Sequence, residues 1–327
     1  MRTNRRNFLR ALGTAAIAGA AGCLTEATTV PDDSPGGSDP QDLSFETHSY
    51  RANDLVVVDG IGPDSVGERY ATVLTDETAA KEFVSGALDD ATRAFIDGTD
   101  LASEDLLVVQ TYLDSISTEF TLDSVQRAGT ELRVSATVDE AEMGAQAITY
   151  ETVLARVESG SSTPEQVSLS VGGGSPATFA VESPEPVEHG SMHLHHTDAL
   201  YQDGLTVSDG SGPQFRVRTL TSADAFTLDG QAEDAAFVEN TDFSTQAILA
   251  LEKQVPSPCE SLAAEGVEQG RRLRLRAAVE ETDAMCTQQV QLSTLLVRVP
   301  AEATTGRKVA AVVTGTDGSE RAVLAGQ

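Results

Sequence analysis

The sequence predicts an α+β protein, predominantly β, organised as a tandem repeat of two similar β-rich domains, each with about one short helix. Three observations indicate this fold class. The chain resembles itself at a spacing near 142 residues, apolar and polar residues alternate with a period of two in several segments, and glycine-rich turns separate these segments. A period of two places alternate side chains on one buried face of a strand.

The internal repeat sets the domain boundaries. "AFIDGTDL" from residue 94 recurs as "AFVENTDF" from residue 236, and "LRVSATV" from residue 132 recurs as "LRLRAAV" from residue 273. We also match "DGIGP" from residue 59 with "DGSGP" from residue 209, at a spacing of 150. The first copy is therefore expected at 45–183 and the second at 193–327, joined by a proline-containing connector at 184–192.

Within each copy, the patterns predict strands, one helix and a tight turn. Residues 75–88, "TDETAAKEFVSGAL", have apolar residues at helical spacing, with Asp76 as a plausible N-cap; the signal is weaker in the second copy. Gly172–Gly174 and "GTDG" at 315–318 are predicted hairpin turns that need positive φ. The strands expected in the first copy are Leu55–Val58, Arg69–Leu74, Leu132–Val138, Thr149–Val157, Val167–Val171 and Thr178–Val181.

The N-terminus has the pattern of an export signal over residues 1–22. Four arginines and no acidic residue precede an apolar run from Ala11 to Ala21, which is too short to span a bilayer as a stable helix. Arg5-Arg6 and the following "NFL" resemble the twin-arginine signal that exports folded proteins. "AAGC" at 20–23 resembles a lipobox, which implies a lipid on Cys23 and a location on the outer face of the cell membrane. The alternative is a core cysteine after an ordinary helix.

Residues 23–44 are predicted to be the lipidated cysteine and a disordered tether. The sequence after Cys23, "LTEATTVPDDSPGGSDPQD", is rich in Thr, Ser, Pro, Gly and Asp and has too few large apolar side chains to form a core. As a flexible coil of about 20 residues, it would reach roughly 25 Å from the membrane.

The charge balance excludes partnership with nucleic acid. The whole chain has a net charge of -29, and removing residues 1–22 takes away four arginines, which leaves 18 basic against 51 acidic side chains and a net charge of -33. Only Lys81, Lys253 and Lys308 are lysines. Such a surface repels phosphate backbones and anionic lipid at ordinary ionic strength, whereas molar salt screens the repulsion. The composition resembles that of salt-loving archaea; an acidic mesophile protein is the alternative.

One motif carries a family resemblance. In the first copy Phe95 is followed by "TDL" at 99–101 and then by an apolar run, and in the second copy Phe237 is followed by "TDF" at 241–243 and another run. This pattern, over about 65 residues in each half, is similar to the PrcB-like domain that stabilises protease complexes. Val297–Pro300 fits the final strand of that family, whereas Val157 is followed by Glu158 and departs from it. The resemblance implies a binding or stabilising role rather than catalysis.

Two cysteines remain after Cys23. Cys259 and Cys286 are expected to form a disulfide, because lone thiols outside the membrane tend to be oxidised to each other. The first copy has Ser117 and the Met143-Gly144 turn at the corresponding positions, so the bridge is optional for the fold. The alternative, a thiolate nucleophile, has no neighbouring histidine in sequence, since every histidine lies at position 196 or earlier.

The segment "HGSMHLHH" holds four of the five histidines of the chain, His189, His193, His195 and His196. His193 and His195 would project to one face of a strand, a spacing that can hold Zn²⁺ or Cu²⁺ through two imidazoles, and the other two could supply further ligands. The competing interpretation is the first strand of the second copy with a polar outer face, following a connector. We favour this interpretation, because a short His-rich tract is only a compositional cue.

No catalytic constellation is recognisable in the sequence. It contains no Gly-x-Ser-x-Gly elbow, no His-Glu-x-x-His, no phosphate loop and no Cys-x-x-Cys. We therefore expect a non-enzymatic, lipid-anchored extracytoplasmic protein that binds or stabilises another envelope or secreted protein. A metal-binding surface lipoprotein is the alternative, and a hydrolase on a sandwich scaffold is a third possibility.

Overall fold

The computed structural model describes residues 40–327 except 66, 77–80, 116, 140–145, 198–199, 202–203, 206–213, 228–231, 283–285, 288 and 326–327. The described residues belong to one compact unit. The export signal, Cys23 and most of the predicted tether lie outside them. In the described part of the chain, no helix has the length and hydropathy that a membrane span requires.

The first half of the chain contains nine strands and one helix among its described residues. The strands are β1 Gln41–Leu43, β2 Phe45–Ala52, β3 Arg69–Leu74, β4 Glu104–Ser115, β5 Glu119–Ala128, β6 Glu131–Asp139, β7 Gln146–Glu158, β8 Gln166–Val171 and β9 Ala177–Ala180. Helix α1 spans Asp90–Asp97 and begins at Asp89, whose side chain accepts a hydrogen bond from Thr92 N.

The second half repeats this order. Its strands are β10 Glu185–Pro186, β11 Gly190–His196, β12 Phe215–Leu220, β13 Gln246–Val255, β14 Glu260–Gln269, β15 Arg272–Glu281, β16 Gln291–Pro300, β17 Lys308–Thr314 and β18 Glu320–Leu324. Helix α2 spans Ala232–Glu239, and the short α3 spans Ala301–Thr304.

Each half forms two sheets with matching strand order. The first half has β1-β5-β6-β8-β9 and β2-β7-β4-β3, and the second has β10-β14-β15-β17-β18 and β11-β16-β13-β12. The β6–β8 and β15–β17 pairs are parallel, whereas the other pairs are antiparallel. The predicted fold class, α+β and predominantly β, is confirmed, and the equivalent registers identify which residues of the two copies correspond.

Every sandwich has a core between its sheets and a second apolar cluster under its helix. Leu107, Val134 and Val153 represent the inner core of the first half, and Leu249, Leu275 and Val297 that of the second. A fifth cluster joins the halves, since Leu55 and Val84 pack with Ala310 and Leu324. Whether either half folds alone remains a prediction.

The structure corrects the position of the helix in the first copy. The described residues 81–88 do not form the expected α-helix: Ser85–Ala87 is a single 3₁₀ turn and Phe83 forms an isolated bridge with Val57. Phe83 is buried within the first copy and Val84 against the second copy, so the apolar residues of this segment do not share one helical face. The α-helix lies further along, where Asp89 supplies the cap that we assigned to Asp76.

The structure also corrects the alignment of the aspartate-glycine turns. Gly60 N bonds to Val57 O and Ile61 N to Gln110 Oε1, and the corresponding bonds run from Gly204 N to Tyr201 O and from Leu205 N to Glu252 Oε2. The partner of "DGI" is therefore "DGL" at 203–205, not "DGSGP", which lies outside the described residues. Leu55–Val58 is a buried loop, not a strand: Leu55 and Val58 pack against the second copy, whereas Val56 and Val57 pack within the first.

Both predicted glycine turns occur. Gly172, Gly173 and Gly318 have φ of 60°, 71° and 79°, in the hairpins that join β8 to β9 and β17 to β18. The ordered fold, however, begins earlier than position 45. Gln41–Leu43 pairs with β5, so the end of the predicted tether is an edge strand.

Candidate functional site

Contacts present in both copies identify the residues that maintain the fold. Arg156 on β7 donates to Thr99 Oγ1 at 3.2 Å and to the Phe95 carbonyl at 2.7 Å, and its guanidinium lies 4.2 Å from the Phe95 ring centroid. Arg298, Thr241 and Phe237 make the same three contacts in the second copy. The phenylalanine and threonine of the motif thus serve to hold an arginine against the C-terminus of α1 or α2. Because this contact is common to both copies, the differences between the copies are the better guide to function.

The largest difference concerns the outer sides of the β1-β5-β6-β8-β9 and β10-β14-β15-β17-β18 sheets. On β15, Leu273, Leu275 and Ala277 face the inner core, so the alternate residues Arg272, Arg274 and Arg276 face outward. We call this outer side of the second copy, with Ala310 and Val312 of β17, the covered face. Residues 54–65 and 81–88 of the first copy, here termed the docking loops, pack onto it.

Asp59 is the centre of this contact. Its carboxylate accepts hydrogen bonds from the backbone N of Arg271 and Arg272, both at 2.9 Å, and from Arg274 Nε at 3.2 Å. Gly270 must be a glycine here, because a Cβ at this position would collide with the Asp59 carboxylate. The turn between β14 and β15 therefore accommodates a specific carboxylate.

Two bidentate ion pairs flank Asp59. Arg274 donates to both oxygens of Glu82 at 2.7 Å, and Arg272 donates to both oxygens of Asp64 at 2.6 and 2.9 Å. Both arginines are only 1% exposed. Burial acts to raise the pKa of Asp64, but the hydrogen bonds and charge of Arg272 outweigh it and hold that pKa below its usual value.

Apolar contacts complete the covered face. Ala310, Val312 and Leu324 pack with Leu55 and Val84, and all five are buried. The module thus binds a polypeptide segment through the outer side of its sheet, by combining paired charges with small apolar side chains.

The corresponding surface of the first copy has different chemistry. We call it the open face; it is the outer side of β5, β6 and β8. Register places Glu131, Arg133 and Ser135 where the second copy has Arg272, Arg274 and Arg276, and it places Ser168 and Ser170 where the second copy has Ala310 and Val312.

The open face contains a shallow cavity of 480 Å³, whose lining includes Ser124, Gln126, Ser135 and Ser170. Its charges neutralise each other, because Glu131 accepts from Ser168 Oγ at 2.6 Å and from Arg133 Nε at 2.9 Å. The bond from Ser168, then the bond and charge of Arg133, hold the pKa of Glu131 below its usual value against the effect of burial. Glu131 and Arg133 are the charged residues of the cavity lining, which also offers several serine hydroxyls and a larger share of apolar atoms, and Asp123 lies further along the same face, bonded to Thr137.

The histidine segment forms β11, an edge strand of the second sandwich. His193 and His195 lie on one face, as their spacing predicts, with ring centroids 4.5 Å apart. That face is directed towards the neighbouring sheet, because His195 Nε2 donates to the Glu260 carbonyl at 2.7 Å and His193 Nε2 lies 2.9 Å from Ser293 Oγ. The prediction of a polar, outward-facing surface is therefore wrong for His193 and His195, which are half-buried.

The other two histidines lie elsewhere. His196 is on the opposite face of β11, with Nε2 2.6 Å from Thr294 Oγ1, and His189 is exposed before the strand. The structure thus brings together two of the four proposed ligands. Burial, with the charges of His195 and His196, lowers the pKa of His193 to about 4, so this imidazole is neutral at pH 7. Among the described residues, no three potential metal-ligand side chains are grouped together.

Cys259 and Cys286 lie at disulfide-bonding distance, with their Cα atoms 5.7 Å apart. They join the start of β14 to the loop before β16. Cys259 also accepts, through its carbonyl, a backbone hydrogen bond from Thr282. The lipidation site, Cys23, lies outside the described residues.

Sequence reasoning missed a buried carboxylate. Glu252 on β13 is 0% exposed and accepts from Tyr201 OH at 2.7 Å and from Leu205 N at 2.6 Å. Burial raises its pKa, although these bonds and the charges of Arg216 and Arg218 act in the opposite direction. The first copy has the neutral Gln110 at this position, donating to Thr152 Oγ1 at 2.9 Å. Only the repeat alignment could have revealed that a neutral amide was exchanged for an acid.

Comparison with known proteins provides no identity: no protein-family model, no curated protein and no solved structure matches the chain.

Proposed function

We propose that the chain is a lipid-anchored, non-enzymatic protein of the outer face of the cell membrane, and that its open face binds another envelope or secreted protein. The observation that carries the proposal is the docking of residues 54–65 and 81–88 on the covered face. Because the same outer side of the same module already holds polypeptide in one copy, the uncovered equivalent is the surface most suited to a partner.

The chemistry of the open face favours a partner that differs from the acidic docking loops. Those loops present Asp59, Asp64 and Glu82 to arginines, whereas the open face offers hydroxyl groups and a neutralised Glu131–Arg133 pair. A segment with uncharged polar side chains and free backbone groups matches this surface. The PrcB-like resemblance, which implies binding or stabilisation, agrees with this proposal.

The test is capture of partners from a high-salt envelope extract by the mature chain, compared between two variants. Ser135→Lys places a long cation on the open face, and the fold can accommodate it because Arg276 occupies the equivalent position of the second copy. Ser222→Lys makes the same charge change at an exposed residue without a side-chain capping bond. We expect Ser135→Lys to reduce capture at least tenfold and Ser222→Lys to leave it unchanged; equal capture by both variants contradicts the proposal.

Export and anchoring are tested separately. The proposal places a lipid on Cys23 after removal of residues 1–22. Cys23→Ala should release the protein from the membrane into the medium, whereas replacing Arg5 and Arg6 by lysine should prevent export. Wild-type protein recovered from membranes with an unmodified Cys23 thiol and its leader intact would contradict the lipid anchor.

A metal site at β11 is the second candidate, favoured by the adjacent His193 and His195 rings and by the neutrality of His193 at pH 7. Calorimetric titration of the mature chain with Zn²⁺ and Cu²⁺ tests it. A metal site predicts that the His193→Ala/His195→Ala protein loses the binding heat and that the His189→Ala/His196→Ala protein retains it. Equal heats in all proteins remove this candidate.

A further inference from the structure

The first sandwich has a polar cleft at its open edge, between β2, β7 and β5. Its volume is 390 Å³, within the range of small-ligand sites in proteins. We call it the edge cleft. Its lining includes Thr47, Ser49, Arg51, Thr118, Glu119 and Glu151.

An ion pair between the exposed Arg51 and the buried Glu151 forms the base of the edge cleft. Arg51 Nε donates to Glu151 Oε2, and its Nη2 donates to the Thr118 carbonyl. Glu151 is only 4% exposed, and burial raises its pKa while Arg51 opposes that effect. An ion pair with one exposed partner is weak evidence for stability, because solvent screens the attraction between its charges. A carboxylate perturbed by burial and by one specific charge, in a cleft, is instead a candidate binding group.

The second copy shows what happens when the same space is filled. His193 and His195 occupy the positions of Ser49 and Arg51, and Ser293 occupies that of Glu151. The two imidazole rings contact each other and hydrogen-bond within the fold. In the second copy the two imidazoles, with the Lys253–Glu260 ion pair beside them, close this edge, whereas the first copy leaves it open where the small Ser49 replaces an imidazole.

We infer that the edge cleft binds a sugar ring through neighbouring hydroxyl groups. A carboxylate next to a guanidinium offers an acceptor and donors side by side, which two vicinal hydroxyls can satisfy together. The opposite charges of Arg51 and Glu151 cancel within the pair, and the exposed Glu119 is the other charged residue of the lining. The hydroxyls of Thr47 and Ser49, on the same side of β2 as Arg51, extend this pattern along the wall of the cleft. The ring can belong to a free monosaccharide or to the end of a glycan chain.

The test is an NMR titration of the mature chain with glucose, galactose and N-acetylglucosamine, and with their methyl glycosides. We expect saturable shifts at the backbone amides of Ser49 and Arg51, with a dissociation constant of about 1 mM, the range of a single weak site. Binding of both free sugar and glycoside indicates a glycan end, and binding of the free sugar alone indicates a monosaccharide; either outcome supports the inference.

Two variants separate binding from folding. Ser49→His fills the edge cleft as the second copy does and should weaken binding at least tenfold, whereas Ser191→His, the same change on exposed β11, should not. Glu151→Gln keeps the side-chain shape and should weaken binding to a similar extent if the carboxylate accepts from the ligand. The inference is overturned if none of the sugars binds saturably, or if Ser49→His binds as tightly as the wild type.

Discussion

The covered face and the open face occupy the same position in two copies of one fold, yet one is buried and the other is exposed to solvent. The covered face combines Arg272 and Arg274 with Ala310 and Val312, whereas the open face has Glu131, Arg133 and two serines at these positions. Arg133 and Arg274 are the same residue type, so the two faces differ at the other three of these positions and at Ser135, where the covered face has Arg276. The inner core is nearly unchanged by the same substitutions, because they lie on the other side of each strand.

This difference also affects the tendency of each face to associate with other chains. An exposed outer face of a β-rich module favours association when it is apolar and resists it when it is polar. Ser168 and Ser170 supply that polarity where Ala310 and Val312 would not. The open face is thus protected against its own docking loops and retains hydrogen-bonding groups for a different partner.

Arg274→Ala should produce the largest change in stability. Removing the guanidinium leaves Asp59 and Glu82 buried without their partner, and breaking a buried pair in this way costs about 3–5 kcal/mol. Arg133→Ala, the equivalent change on the open face, should cost less than about 1 kcal/mol because that side chain is 49% exposed. Chemical unfolding of both variants in high salt measures the difference, and similar losses would mean that the two faces do not differ as described.

Reduction of the disulfide should have the next largest effect. Closing a loop of 27 residues stabilises the second copy by about 3.5 kcal/mol in the chain-entropy model, and the first copy has no such bond at Ser117. The Cys259→Ser/Cys286→Ser protein should lose this amount in denaturant unfolding, and the unreduced mature chain should take up no alkylating reagent. Uptake of two equivalents would show free thiols.

Exchanging Glu252 and Gln110, which occupy equivalent positions in the two copies, tests how a buried carboxylate affects stability. The raised pKa of Glu252 means that the folded state holds a proton more tightly than the unfolded state, so the stability due to this group is present below pH 4.5 and is lost as pH rises through the folded pKa. Glu252→Gln should stabilise the protein at pH 7 by about 1–3 kcal/mol, and the gain should shrink towards pH 4. Gln110→Glu should be destabilising. A gain that is constant with pH would contradict the assignment.

His193→Ser should have the smallest effect. With a folded pKa of about 4 against 6.5 unfolded, the neutral imidazole stabilises the fold above pH 6.5, and this stability is lost as pH falls towards 4. Because His193 is partly exposed, the stability lost on acidification is limited to about 1 kcal/mol or less. Replacing His193 by serine, the residue at position 49, should reduce the loss of stability below pH 6.5. The exposed His189→Ser protein is the control and should retain the wild-type pH dependence.

The sequence predicts most strands and the strand-to-strand equivalence because alternation and repetition depend only on the chain itself. Prediction from the sequence fails where contacts between distant parts of the chain determine the local conformation. Residues 75–88 carry a helical spacing, yet Phe83 bridges to Val57 within the first copy and Val84 packs against the second copy, and such distant contacts determine the conformation. Asp59 and Asp209 share a motif, but only the hydrogen bonds of Gly60 and Gly204 reveal the true correspondence.

The candidate sites were harder to predict for the same reason. In a chain with 51 acidic residues, nothing in the sequence distinguishes a carboxylate that is buried against arginine from one that is hydrated. Arg272 and Arg274 have the alternation of an exposed strand face, and their burial follows from docking. The inward orientation of His193 and His195 depends on which sheet lies opposite β11, and the sequence does not contain that information locally.

The central claim is that one outer face is covered by the docking loops while its equivalent is open, and thiol labelling tests it most directly. Ser170→Cys and Val312→Cys place a thiol at equivalent positions of the two copies, half-buried on the open face and 2% exposed on the covered face. We predict that folded Ser170→Cys reacts rapidly with a maleimide and that Val312→Cys reacts only after denaturation. Equal reactivity of the two folded proteins would contradict the account.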